Sequence, residues 1–413
     1  MDDTAEVAIA RRDPRTVRWP QVAILSLLQS AIGLSWLVYA LFLPALILTL
    51  GFDASLAATL LLVEGVLAAL LEPAFGFLSD KTFRRIGSRM PFVIAGVFLA
   101  AALFVSIPLT VVRPDSSNDT SRLLFLCLVI GWAIAMTVFR TPAISLLSRY
   151  ASSPNLPRAA SVLTLLAVGV AALRPVSRDF LLSLGPVLCF GVASLVLLGS
   201  CAAVWLIDRA IPPAEPASAG ESPRLFGAIV TLFASGAGLA LAQFALLTQL
   251  LPRMLGMLPS GLPELSALTA AAMLYFGACA LGAGAMARRL GNERTMLIGA
   301  GASTALIAFL AYVSPTPALL VGLIALTLAS FSLVANGMIP LALGRVSTDR
   351  GGLGLGFYFG GLSATSSVVA FRFRPPVSVG EATTFALIGL ALVASAVWAG
   401  RQPPTGRQAT TRP

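Results

Sequence analysis

Long apolar runs separated by short polar breaks cover most of the 413-residue chain. Twelve of these runs come close to or exceed the roughly 20 residues that an α-helix needs to cross the hydrocarbon core of a bilayer. The pattern therefore predicts an all-α integral membrane protein with twelve transmembrane helices. The predicted spans are residues 21–49, 55–79, 91–111, 122–147, 159–181, 184–207, 225–250, 265–287, 295–313, 317–344, 353–371 and 380–399.

The composition excludes a soluble globule. Hydrophobic residues make up 57% of the chain and charged residues 11%, whereas a soluble domain carries about 25% charged residues. The net charge of +10 does not indicate a nucleic-acid partner, because the basic residues stand singly between spans and form no face with interleaved aromatic residues. We expect a monomer whose surroundings are the lipid bilayer.

Most of the lysines and arginines fall in alternate loops, on the same side of the predicted spans as the N-terminus. The positive-inside rule places such loops in the cytoplasm. We therefore expect a multi-pass protein of the inner (plasma) membrane with both termini cytoplasmic.

A polar break near the middle divides the predicted spans into two sets of six. Residues 208–224 are rich in Pro, Ala and Ser without apolar periodicity, which is typical of a flexible linker. A Gly-rich helix end followed by a basic pair occurs at equivalent places in both halves, at 76–89 and 282–294. The sequence thus predicts two related six-helix bundles. The expected divisions are a tail at 1–19, bundles at 20–207 and 225–400 joined by the linker, and a tail at 401–413.

The break between the second and third predicted spans holds a distinctive charged hairpin. Residues 72–92 read Glu-Pro-Ala-Phe-Gly-Phe-Leu-Ser-Asp-Lys-Thr-Phe-Arg-Arg-Ile-Gly-Ser-Arg-Met-Pro-Phe. This hairpin resembles that of major facilitator superfamily transporters, and its longer form resembles the glycoside-pentoside-hexuronide and sucrose-transporter branch. The matching residues are Gly76, Ser79, Asp80, Lys81, Thr82, Arg85, Gly87, Pro91 and Phe92.

The resemblance implies a fold and a set of roles. The fold is two pseudo-symmetric six-helix bundles around a central cavity, which rock against each other in alternating access. The implied substrate is a small molecule, with a sugar or glycoside favoured. Gly76 would let neighbouring helices approach closely, and Asp80, Arg85, Gly87 and Arg89 would form a latch on the cytoplasmic face.

Four charged residues fall well inside predicted spans, away from the span ends, where isolated charge is costly and marks a functional or paired site. At 1.5 Å per residue, Glu72 and Arg140 lie about 12–13 Å from the cytoplasmic end of their helices, and Glu64 and Arg174 lie about 24 Å from it. We therefore expect Glu72 to pair with Arg140 and Glu64 with Arg174. Each pair could bind substrate or couple transport, or could only hold the helices together.

The place of Glu72 carries a further implication of the resemblance. In melibiose-permease-type relatives an acidic residue directly precedes the proline of the second span, as Glu72 precedes Pro73 here. Those relatives bind a coupling cation between that acid and a second one in the fourth span, where this chain has Arg140. A guanidinium repels Na⁺, so sodium coupling is not expected. Glu72 is then either half of a structural ion pair or a proton carrier whose protonation releases Arg140 to the substrate.

The second half offers uncharged candidates for the site. Gln243 and Asn336 could line the cavity and bond substrate, or could only join helices. No cofactor or metal is expected, since the chain has no His and its four Cys lack ligand spacing. An enzyme is not expected either, because no span combines a nucleophile, a base and an orienting group.

Two functions remain open from the sequence. The first is a secondary active or facilitative transporter of a small solute, with proton coupling through Glu72 or Glu64. The second is an assembly or delivery factor for tetrapyrrole pigments, which resemblance to the bacteriochlorophyll-delivery relatives of the same superfamily suggests.

Overall fold

The computed structural model of the protein describes residues 17–112, 118–211, 225–259, 262–313, 315–373 and 377–401. Most of the expected N-terminal tail, linker and C-terminal tail, at 1–16, 212–224 and 402–413, lies outside the described residues.

Within the described residues, twelve helices are long and apolar enough to cross a membrane, which confirms the expected all-helical fold. We number them spans 1 to 12. Their bounds are Trp19–Thr49, Leu56–Ile86, Met90–Val112, Asp119–Tyr150, Ser153–Leu173, Pro186–Asp208, Leu225–Gly256, Leu265–Leu290, Asn292–Ala311, Pro317–Gly344, Thr348–Arg372 and Val379–Ala399.

Span 2 continues well past the predicted end at residue 79 and stops at Ile86. Arg84 and Arg85 lie in its last turn, where the helix dipole favours positive side chains. Gly87 ends the helix in the left-handed conformation, with φ 71°, which glycine adopts without a steric penalty. Asp80 is therefore a helical residue, and the turn is shorter than predicted.

Span 5 ends earlier than predicted. Its helix stops at Leu173, and Arg174 caps its C-terminal end. Pro175 follows, and because it has no backbone N–H it cannot donate the next hydrogen bond of the helix. A separate short helix, Arg178–Leu184, then leads to span 6. Arg174 thus leaves the interior of the span.

Span 7 is α-helical from Leu225 to Gln243 and then π-helical over Phe244–Leu250. It closes with a short α-helical stretch, Leu251–Gly256. The π-helical segment packs against span 12.

Aromatic rings fill the space between spans 1, 3, 4 and 6. The ring centroids of Trp132 and Phe104 are 4.8 Å apart, and those of Phe104 and Phe190 are 4.3 Å apart. Phe42 meets Phe190 edge-on at 6.0 Å. All four side chains are buried, so this aromatic cluster is the core of the first six spans.

Spans 2 and 11 make the most extensive contact between the two halves of the chain. Glycines repeat every fourth residue along the contacting face of span 11. A Cβ atom at any of the three would lie only 2.6–2.9 Å from a backbone carbonyl oxygen of span 2. We call this contact the glycine seam. Its facing pairs are Gly352 with Gly76, Gly356 with Glu72, and Gly360 with Ala69.

The loops that join spans 2 to 3, 4 to 5, 8 to 9 and 10 to 11 lie at one end of the bundle, which we call the basic end; the opposite end is the far end. Among the described residues, every hydrogen bond and ion pair between spans 1–6 and spans 7–12 lies toward the basic end. The two halves are therefore fastened together at the basic end.

Candidate functional site

Glu72 and Arg140 meet between spans 2 and 4. Glu72 is only 1% exposed, and its Oε1 lies 3.2 Å from Nε of Arg140. The Thr141 hydroxyl donates a hydrogen bond to the other carboxylate oxygen of Glu72. The guanidinium of Arg140 also lies over the ring of Phe359 in span 11, 4.2 Å from its centroid. The pair thus touches both halves of the protein.

Glu64 lies two helical turns farther along span 2 and has a different partner from the expected one. Its Oε1 accepts a hydrogen bond from the Tyr39 hydroxyl of span 1. Its Oε2 is buried without a hydrogen-bond partner, and so is the indole N–H of Trp36 nearby in the chain. A buried polar atom without a partner is uncommon in folded proteins and calls for a ligand, water or ion to satisfy it.

The expected pairing of Glu64 with Arg174 is wrong. Arg174 caps span 5 and its side chain is exposed. Both residues are described by the structure, and no ion pair joins them. Equal depth from the basic end did not bring them together, because span 5 ends at Leu173 and Glu64 faces span 1.

A cavity of about 300 Å³ lies between spans 1, 2, 4 and 11. Glu64, Glu72 and Arg140 all line it, so three of the six expected substrate or coupling residues share one space. With both carboxylates ionised, these side chains leave the cavity one net negative charge. Further polar lining comes from Trp36, Thr137, Ser363, Ser366 and Ser367.

The two uncharged candidates of the second half do not line this cavity. Asn336 is 2% exposed, and its Nδ2 donates to the carbonyl oxygen of Pro157 in span 5 at 3.1 Å. Its Oδ1 also accepts from the Thr164 hydroxyl at 3.4 Å. Gln243 is half-buried where the π-helical segment of span 7 begins. Asn336 was expected either to bond substrate or to join helices, and these two contacts are hydrogen bonds between helices.

Asp80 binds the N-terminal end of span 11. Its Oδ1 accepts from the backbone N–H of Gly352 at 3.0 Å, and its Oδ2 accepts from that of Leu353 at 2.7 Å. Arg89 donates to the same carboxylate at 2.7 Å and to the carbonyl oxygen of Thr348 at 3.2 Å. A helix N-terminus attracts anions through its free N–H groups and its dipole. This cluster therefore fastens span 2 to span 11.

The expected latch residue Arg85 takes no part in this cluster. Its side chain is exposed and forms no ion pair with a described residue. Nη1 of Arg84 instead lies 3.4 Å from Oδ2 of Asp349 at the start of span 11. Because span 2 remains helical here, Arg84 is four residues after Asp80 and shares its face, whereas Arg85 points away.

Several residues of this region escaped the sequence analysis. Tyr39 was visible as a polar side chain in an apolar span, and nothing in the sequence named Glu64 as its partner. The serines at 363, 366 and 367 have the spacing of a single helix face, which was the signal that span 11 has a polar side. Among the described residues, no group of three or more Cys, Asp or Glu side chains could hold a metal ion.

Comparison with known proteins gives a family and a fold. The family model described as Major Facilitator Superfamily matches residues 25–371. No curated protein matches the chain in sequence.

Solved structures match almost the whole chain. A bacterial homologue of the iron transporter ferroportin, in an outward-facing state with soaked iron, is 17% identical, covers 93% of this chain and 98% of its own, and gives a TM-score of 0.70. The Major Facilitator Superfamily transporter FucP in the outward conformation is 16% identical, with coverages of 92% and 99% and a TM-score of 0.63. The E. coli fucose:proton symporter FucP is 16% identical, covers 92% of this chain and 98% of its own, and gives a TM-score of 0.62. At these identities the likeness shows the fold alone.

Proposed function

Because this chain belongs to the Major Facilitator Superfamily, we propose that it is a proton-coupled secondary transporter of a small, uncharged polar solute. The binding site is the cavity lined by Glu64, Glu72 and Arg140. The observation that carries this proposal is the set of buried polar atoms without hydrogen-bond partners on the residues that line that cavity, among them Glu64 Oε2 and Trp36 Nε1.

The basic end faces the cytoplasm in this proposal, by the positive-inside rule. The hydrogen bonds of Asp80 and Asn336 between the halves then close the cytoplasmic side. The conformation is an outward-facing one, and two of the similar solved structures were also captured outward-facing. Transport requires these bonds to open while the far end closes.

The cavity suits a solute that carries hydroxyl groups. Glu64 offers an acceptor and Trp36 offers a donor, and Ser363 and Ser366 of span 11 can do both. Its volume of about 300 Å³ lies at the lower end of the usual range for small-molecule sites. A monosaccharide fits this chemistry, as the branch resemblance and the fucose:proton symporter among the similar structures also suggest.

Glu64 is the residue that couples transport to protons. With both carboxylates ionised, the cavity holds one uncompensated negative charge, and enclosing a lone charge within the membrane is costly. Protonation of Glu64 removes that charge without disturbing the Glu72–Arg140 ion pair. The loaded site then crosses between its two states as a neutral whole, which links solute movement to proton movement.

Solute uptake by proteoliposomes with and without an inward proton gradient tests this proposal. L-fucose heads a panel of radiolabelled pentoses and hexoses. We expect the wild-type protein to accumulate one of them above equilibrium only when the gradient is present. Glu64→Gln should abolish this accumulation but retain counterflow exchange, because the neutral amide mimics the protonated carboxyl.

Arg178→Gln is the matched control, because Arg178 is an exposed charged residue at the far end whose ion-pair partner in the described part of the chain is its neighbour Asp179. This variant should transport as the wild type does. Gradient-driven accumulation that survives Glu64→Gln would rule out Glu64 as the coupling residue. The same assay on Glu72→Gln and Arg140→Gln tests whether the Glu72–Arg140 pair takes part in solute binding. Full transport by both variants would mean that the pair is purely structural.

Tetrapyrrole delivery stays a prediction from resemblance. No feature of the described residues favours pigment delivery. An absorption spectrum of the freshly purified protein tests it directly, since a bound pigment absorbs visible light.

A further inference from the structure

A second cavity, of about 610 Å³, lies at the far end of spans 7, 9, 10 and 12. Its floor is formed by buried residues of three of these spans, including Leu246, Ile307 and Thr327. Exposed apolar residues stand at its rim, with Met257 75% and Val379 55% exposed. None of its lining residues belongs to the cavity of the proposed transport site.

In the first half of the chain, aromatic side chains occupy the corresponding space. Adding six to each span number relates spans 1, 3, 4 and 6 to spans 7, 9, 10 and 12. In the first set, the stacked rings of Trp132, Phe104 and Phe190 fill the interior. In the second set, smaller aliphatic side chains and threonines surround a void. Protein interiors are normally close-packed, so a void of this size, open at an apolar rim, has the properties of a binding site.

Arg253 supplies the one charge of this cavity. Its guanidinium donates one hydrogen bond to the carbonyl oxygen of Val377 at the start of span 12. Its Nη1 is buried and has no hydrogen-bond partner. No described acidic residue forms an ion pair with Arg253, so its charge lacks a counterion in the part of the chain that the structure describes. A partly buried charge without a counterion favours an anionic ligand.

The rim of the cavity joins an apolar outer surface. Beyond the exposed Val379 at the rim, Ile388 is exposed on span 12 and Phe309 is exposed on the adjacent span 9. In a membrane protein, such a surface faces lipid. A ligand that enters over this rim comes from the bilayer, with its polar group at the level of the helix ends.

We propose that this cavity binds an anionic lipid of the surrounding bilayer, with one acyl chain between spans 7, 9, 10 and 12 and its head group on Arg253. The apolar floor receives the chain, and the guanidinium receives the phosphate or carboxylate oxygens. This site is independent of the proposed transport cavity, and its occupancy can be measured without any transport assay.

Native mass spectrometry of the full-length protein in detergent tests this site. The protein is mixed with equal amounts of phosphatidylglycerol and phosphatidylcholine that carry identical acyl chains. We expect the wild type to retain the anionic lipid about tenfold better. Arg253→Gln should bring this ratio close to one, while Arg253→Lys, which keeps the positive charge, should preserve most of it. Ile307→Trp fills the floor and should reduce retention of both lipids.

Arg372→Gln removes an exposed arginine at the same end and is the matched control; its lipid ratio should equal that of the wild type. A thermal denaturation curve for each variant identifies any that fail to fold, and Arg253→Lys then carries the comparison. An unchanged ratio in Arg253→Gln, or an equal loss in Arg372→Gln, would overturn the proposal. In a separate arm with oleate, Arg253-dependent binding of oleate without binding of phosphatidylglycerol would assign the site to free amphiphiles instead of membrane lipid.

Discussion

Single residues of this protein show how buried charge is accommodated in a membrane span. Glu72 and Arg140 balance each other's charge in an ion pair, and Thr141 and the ring of Phe359 complete their surroundings. Glu64 has only Tyr39 and keeps one oxygen free. The first carboxylate is thus compensated within the protein, whereas the second is left to an external partner.

The Glu72–Arg140 pair makes a testable prediction about stability. Removing one member leaves the other charge buried and unpaired, which typically costs about 3–5 kcal/mol. We expect Glu72→Gln and Arg140→Gln each to lower the thermal stability of the purified protein strongly. The double variant Glu72→Gln/Arg140→Gln should be less destabilised than the sum of the two, as a double-mutant cycle in thermal denaturation would report. Simple additivity would mean that the two side chains do not interact.

The sequence located some of these contacts and misplaced others. Depth along a helix follows from counting residues, and this sufficed for Glu72 and Arg140. Which neighbouring span a side chain meets depends on how the helices pack. Counting residues therefore could not identify Tyr39 as the partner of Glu64. The Arg84–Asp349 contact could have been anticipated from helical periodicity, but only if span 2 had been recognised as continuing to Ile86.

At the scale of elements, the glycine seam decides how closely the two halves approach. Backbone meets backbone along spans 2 and 11, with no room for a methyl group at Gly352, Gly356 or Gly360. Small residues at such spacing are a common means of close helix packing in membranes. The sequence showed the glycines, whereas their partner helix became visible only in three dimensions.

Gly356→Ala tests the seam. The new Cβ would lie 2.6 Å from the carbonyl oxygen of Glu72, so spans 2 and 11 must move apart and weaken the basic-end contacts. We expect loss of most solute uptake in proteoliposomes. Gly322→Ala in span 10 is the control, because that position is exposed and has no atom near the added methyl group. Equal activity of the two variants would show that the seam tolerates separation.

At the scale of the whole molecule, two latches hold the halves together at the basic end. The first joins span 2 and its following loop to the start of span 11 through Asp80, Arg84 and Arg89. The second is Asn336 with Pro157 of span 5. They lie on different pairs of spans, so in the proposed transport cycle we expect both to release before the basic end opens.

Weakening these latches should shift the protein toward its other conformation. A hydrogen bond to a charged group contributes about 1.5–3 kcal/mol, so Asp80→Asn combined with Asn336→Ala should raise the basic-end-open population about tenfold or more. Spin labels at Leu48 and Met257, both exposed near the far end, report this by electron paramagnetic resonance distance measurement. With the native cysteines replaced by alanine, the double variant should show a larger share of short distances than the parent. Identical distributions would mean that the latches do not set the conformation.

The glycine seam limits which substitutions could alter the balance between the two proposed conformations. A surface built from backbone offers no side chain whose size or charge could be adjusted by small degrees. Any change in the set point between the two conformations must then arise at the polar residues of the two latches. Natural or laboratory selection for faster turnover should accumulate substitutions around Asp80 and Asn336, while the line from Gly352 to Gly360 stays unaltered.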